Sequence, residues 1–302
     1  MFKNLLVPLD GSHLAETALP PAAVLAQELH ASVILIHVIE RNAPKEIHGD
    51  QHLTNEGEAC NYLETIAAQT FPESVQIEKH VHSEEVRNVA RSIVDHASEY
   101  DPDLIILTTH GEGGLRDWMV GSIAQQVITL GQTPVLLLRP NDKPALSPPT
   151  FHRFLVALDG NPAHEAGLSM AAGLAEKTQA SLILLNVVST MRTLSGQQAA
   201  AGMLLPGTTA AMLEMKVQAA AEYLEEQAAP CSAAGRTVSC RVRRGEPAPE
   251  IAKAAEENDC DLIIVGTHGK AGLDAFWAGS VGAKISPLTA IPLLLVPVEK
   301  AG

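Results

Sequence analysis

A set of glycines and a Gly-Ser pair are placed where a backbone could hold phosphate. Gly266 and Gly269 bracket Thr267-His268 at the end of an apolar run, and Gly279-Ser280 follows nine residues later. Without Cβ atoms the backbone turns sharply and approaches a ligand closely. Gly279-Ser280 opens a helical pattern, whose first N–H groups lack internal partners and carry partial positive charge; both properties suit a phosphate. The Ser280 hydroxyl adds a hydrogen-bonding group. The same residues would serve as turn glycines and a helix cap, and spacing alone does not separate the two readings. His80-x-His82 and His48-x-x-x-His52 have spacings seen at metal sites. The first pair lies on an expected strand, where both rings share one face. The sequence names no third ligand, so these read as surface histidines and no metal is assigned. No nucleophile elbow, Cys/His pairing or Walker lysine-serine is present, and no catalytic residue is assigned. Cys60, Cys231, Cys240 and Cys260 form no C-x-x-C and read as small, mostly buried residues.

The glycine segment occurs twice. DLIILTTHGEGGLRDWMVGSIAQQVITLGQTPVLLL (103–138) aligns without gaps on DLIIVGTHGKAGLDAFWAGSVGAKISPLTAIPLLLV (261–296), offset by 158. Upstream, LLVPLDGS (5–12) matches FLVALDGN (154–161) and SVILIHVI (32–39) matches SLILLNVV (181–188), both offset by 149. The difference places nine extra residues in the second copy, around SGQQAAAGMLLPGTTAA (195–211). Two copies of ~150 residues are two domain-sized units, expected at 1–142 and 150–302. Proline-rich PNDKPALSPPT (140–150) links them.

Each copy alternates short apolar runs with helical patterns. Strands are expected near 4–9, 32–39, 75–81, 103–109 and 134–139, then 153–158, 181–188, 237–243, 261–267 and 292–297. Helices are expected near 14–29, 55–69, 84–99 and 121–130, then 163–178, 208–228, 247–258 and 280–288. Ser83 with Glu84 and Glu85 reads as a helix start. The continuously apolar strands fit a parallel sheet covered on both faces, giving two tandem doubly wound α/β domains. Ligands in such sheets sit beyond the strand carboxyl ends, where strand order reverses. Asp10-Gly11 and Asp159-Gly160 fall at such ends, as does each glycine segment. Met203, Met212 and Met215 cluster on one helical segment and read as core packing rather than an adaptable surface.

Gly-x-x-Gly, nine residues, Gly-Ser/Thr resembles the nucleotide-binding motif of the universal stress protein family, and Gly266, Gly269, Gly279 and Ser280 satisfy it in full. The LxPLDGS-like start, the Asp-Leu-Ile-Ile strand and the final X-Pro strand are similar to that family too, once per half. The resemblance implies a five-stranded parallel sheet with about four helices per domain, Rossmann-like and of the adenine nucleotide alpha hydrolase type. It implies ATP, alone or with Mg2+, as cofactor in some members, while others bind no nucleotide. Carried over by position, Asp159 lies near adenine and ribose, Val187 lines the adenine pocket, and Gly266 and Gly269 run along ribose and phosphates. Gly279, Ser280 and Val281 hold the phosphates. Lys270 adds positive charge there or is a solvated loop lysine. His268 is a phosphate contact or, more plainly, a packing residue.

The first copy departs from the pattern. Thr108 stands at the first glycine position and Glu112 at that of Lys270, while Asp10, Val38, Gly111, Gly121 and Ser122 remain. Exchanging a cation for a carboxylate within ~6 Å of phosphate changes the interaction by roughly 1–4 kcal/mol before screening. The expectation is unequal sites, with ATP held mainly by the second domain. The leading function is a stress-response regulatory protein acting through partner or oligomer contacts. A slow ATPase or phosphotransferase and a nucleotide-free scaffold are the alternatives. The net charge of −14, with no basic aromatic stripe, argues against nucleic acid. No leader and no apolar run of ~18 residues is seen, so a cytoplasmic protein without a membrane span is expected. The terminal strands PVLLL (134–138) and PLLLV (292–296) have edges to cover; in the resembled family they pair across a pseudo-twofold. Here that pairing would join the two halves, with a homodimer and an unknown protein partner beyond it.

Overall fold

The computed structural model describes residues 2–43, 46–47, 49–109, 122–140, 149–194, 196–268 and 280–298. The first half supplies strands β1 (Asn4–Pro8), β2 (Ser32–Glu40), β5 (Ile77–Val86), β6 (Leu104–Thr108) and β7 (Val135–Leu138). A two-stranded ribbon, β3 (Glu46–Ile47) and β4 (Asp50–Gln51), branches off after β2. The second half supplies β8 (Arg153–Ala157), β9 (Ser181–Val188), β10 (Val238–Arg244), β11 (Leu262–His268) and β12 (Leu293–Val298).

These ten strands form one sheet, ordered β5-β2-β1-β6-β7-β12-β11-β8-β9-β10. Within each half every pairing is parallel, as the unbroken apolar runs require. The halves meet at β7 and β12, which pair antiparallel with Leu137 opposite Leu293 and Val135 opposite Leu295. Residues alternate between faces, so Leu5, Val33 and Ile106 feed one core while Leu6, Ile34 and Ile105 feed the other. Both cores run across the seam: Leu136 and Leu294 lie in the first, Leu137, Leu293 and Leu295 in the second.

Helices α1 (His13–Glu16), α2 (Leu19–Leu29), α3 (Glu56–Thr70), α4 (Val89–Tyr100) and α5 (Ser122–Leu130) cover the first half. A 3-10 turn (Pro162–Glu165) and helices α6 (Ala166–Thr178), α7 (Gly196–Leu204), α8 (Pro206–Ala233), α9 (Pro247–Glu257) and α10 (Val281–Ile285) cover the second. The fold is therefore two tandem α/β domains on a mostly parallel sheet.

Several local expectations are corrected. The helix read over 14–29 breaks into α1 and α2, since Pro20 and Pro21 fit only the first turn of a new helix. Ser83-Glu84-Glu85 does not start a helix. β5 runs on to Val86, and α4 begins where the Asn88 side chain accepts a hydrogen bond from the Arg91 N–H at 2.9 Å. The nine-residue insertion is helical, forming α7 and the start of α8. The methionines are not core: Met203 is 85% exposed and Met215 73%. The buried stripe of α8 is Leu213, Ala220, Leu224, Ala228 and Cys231, which leaves Met212 and Met215 off that face. Cys60 is exposed, unlike buried Cys231 and Cys260.

Candidate functional site

Strand order reverses in each half between its first and fourth strands: β1 lies beside β6, and β8 beside β11. The chain leaves β1 at Asp10-Gly11 and β8 at Asp159-Gly160, with φ of +90° at Gly11 and +79° at Gly160. A side chain is strained at such φ, so each position calls for glycine. Each aspartate then fixes its own turn. Asp10 accepts from the Ser12 N–H at 2.9 Å and the Ser12 hydroxyl at 2.6 Å. Asp159 accepts from the Asn161 N–H at 3.0 Å, and its other oxygen meets His164 Nδ1 at 2.8 Å.

In the first half these elements enclose a cavity of about 520 Å³ over the strand ends, lined in part by Asp10, Val38, Thr108 and Ser122. Arg87, Asn88 and Gln126 line it too, as does His52. His52 is 4% exposed, and among the described residues its Nδ1 has no hydrogen-bond partner. A buried, unpaired ring nitrogen on a cavity wall is a polar group awaiting a partner. Ser122 is the first residue of α5, whose early N–H groups point out of the helix at this end. Sequence reasoning missed Arg87 and read His52 as a surface histidine, whereas it is buried; its spacing partner His48 lies outside the described residues. The signal for Arg87 was its place just before the Asn88 cap; the spacing that singled out His52 carried no sign of its burial.

In the second half, Asp159, Val187 and Gly266 stand at the carboxyl ends of the neighbouring strands β8, β9 and β11. Ser280 caps α10, accepting from the Ala283 N–H at 3.2 Å, and Val281 is that helix's first residue. The capping role weighed from sequence is thus occupied by Ser280 itself. Gly266 is closely approached by the chain's own backbone: a Cβ there would lie 2.7 Å from the His164 carbonyl oxygen. Its counterpart Thr108 lies instead on the wall of the first-half cavity. His268 ends β11. Gly111, Glu112, Gly121, Gly269, Lys270 and Gly279 lie outside the described residues.

The repeated Asp-Leu-Ile-Ile motif works at the opposite end of the sheet. Asp103 accepts from the N–H groups of Lys3 and Asn4 at 2.6 and 3.0 Å, and Asp261 from those of His152 and Arg153 at 2.7 and 3.0 Å. It anchors the entry to β1 and β8 and is architectural.

Comparison with known proteins agrees with this frame. The model of the universal stress protein family matches residues 1–139 and again 150–297. Universal stress protein YxiE of Bacillus subtilis is 32% identical over 151 residues, covering 46% of this chain and all of that protein. A universal stress protein of Mycolicibacterium smegmatis is 23% identical over 305 residues, covering 97% of this chain and 96% of its own. The crystal structure of a universal stress protein from Archaeoglobus fulgidus superposes with a TM-score of 0.65 at 15% identity, over 99% of this chain and 97% of that one. With two matches, two five-stranded halves and a full-length relative of the same span, the chain belongs to the universal stress protein family as a tandem two-domain member.

Proposed function

We propose that this chain is a stress-response regulatory protein that binds ATP in the crevices over the strand carboxyl ends, and that occupancy alters the surface it offers to partners. The observation that carries the reading is the first-half cavity. Its volume is in the range of small-molecule pockets, it lies at the strand-order reversal, and buried His52 on its wall has a ring nitrogen with no partner among the described residues. Arg87 supplies a cation on its wall. That supports a usable first site despite Thr108 and Glu112. The second site keeps the full glycine pattern with Lys270, and we assign it the tighter binding. Asp159, Val187, Gly266, Gly269, Gly279, Ser280 and Val281 are its proposed contacts.

Isothermal titration of the full chain with MgATP tests this. Two classes of site are expected. Ser280→Ala should weaken the tighter about tenfold, and Arg87→Ala the weaker by a similar factor, in line with loss of a charged or polar phosphate contact. No binding at millimolar ATP would sink the reading and leave the scaffold alternative.

A further inference from the structure

The fold supplies the third ligand that the His80-x-His82 spacing lacks. His80 and His82 project from the edge strand β5, and His96 comes up from α4 beneath it. Their ligand-capable atoms all lie within 4.8 Å of one another. His80 Nε2 and His96 Nε2 are 3.0 Å apart, and the His82 and His96 rings meet edge-on with centroids 4.9 Å apart. Two imidazole nitrogens on one tetrahedral Zn2+ stand about 3.3 Å apart, given Zn–N bonds near 2.05 Å. Opening that pair by a few tenths of an ångström, and drawing in the His82 ring from within 4.8 Å, would seat the ion.

We propose that His80, His82 and His96 form a Zn2+-binding site that clamps β5 to α4. The outer contacts already suit ligation. His96 Nδ1 donates to the Ser92 carbonyl at 2.7 Å, which leaves the Nε2 lone pair facing the cluster. The Tyr100 hydroxyl lies 2.9 Å from His80 Nδ1, so it can accept that proton once His80 Nε2 is metal-bound. The cluster opens on a cavity of about 440 Å³ whose wall includes Glu84 and Glu99, so a carboxylate or a water completes the coordination.

The second half handles the same seam differently. β2 sets Ile36 opposite His80 and Val38 opposite His82; β9 sets the equivalent Leu185 opposite Arg241 and Val187 opposite Arg243. Arg243 reaches Glu257 and Glu250 of α9. An ion-pair clamp thus stands where the first half has three imidazoles.

The test is titration of the tag-free, chelator-stripped full chain with Zn2+, with Co2+ as a spectroscopic probe. One equivalent per chain is expected, with the intense visible bands of low-coordinate Co2+. His82 is only half-buried, so His82→Ala should keep native circular dichroism yet lose affinity by about tenfold or more. His96→Gln should do the same. Absence of binding at micromolar Zn2+, or unchanged affinity in folded His82→Ala, overturns the proposal.

Discussion

His37 shows how one residue type is exchanged between the copies while its hydrogen bond is kept. The ring is 1% exposed, and its Nδ1 meets the Leu9 carbonyl at 2.8 Å. The equivalent Asn186 donates to the Leu158 carbonyl at 2.9 Å. Both hold the loop that leaves the first strand of each half. Only the histidine titrates. Burial, against two backbone carbonyls and Asp10 and with a small push from His52, lowers its pKa in the folded protein. The unfolded chain then binds the proton more readily, so stability falls as pH drops through about 6.5 toward the folded value. His37→Asn copies the second half's solution. Its melting temperature should fall less between pH 7.5 and pH 5.5 than that of the wild type, in paired thermal melts.

At the scale of elements, Gly266 decides how the turn before α6 sits on β11. The His164 backbone approaches so closely that a Cβ would meet its carbonyl oxygen at 2.7 Å and its Cα at 3.0 Å. Backbone cannot swing aside as a flexible side chain can. Gly266→Ala should therefore destabilise the chain by about 1–3 kcal/mol, read as an earlier urea midpoint. In the first half the corresponding turn is α1, capped by Ser12, and there Thr108 is accommodated. The two turns are tied down alike: Tyr62 donates to Glu16 and Tyr223 to Glu165, each at 3.1 Å. The Gly266/Thr108 difference thus tracks turn packing, whatever it adds at a ligand.

At the scale of the molecule, β7 and β12 would each be an open edge if the halves stood alone. Pairing them makes both cores continuous, and Arg139 adds a bond to the Pro287 carbonyl at 3.2 Å across the seam. Residues 1–140 and 149–302 expressed separately should associate, each with itself or with the other. Analytical ultracentrifugation at micromolar concentration reads this, and monomeric halves would contradict it. Among the described residues no helix is long and apolar enough to cross a membrane.

The duplication, the parallel strands and the placing of Asp10 and Asp159 at strand ends were legible along the chain. These follow from periodicity, apolar runs and turn glycines, all local along the chain. Sequence reasoning misread Ser83-Glu84-Glu85, because a strand edge tolerates exposed acids as well as a helix start does. It misread the α8 methionines, because which face is buried depends on what lies beneath. Only tertiary structure could bring His96 to His80 and His82, set His52 on a cavity wall, or turn the His164 backbone onto Gly266. Those contacts join residues from 14 to about 100 positions apart, and a single sequence carries no record of which distant residues fold together.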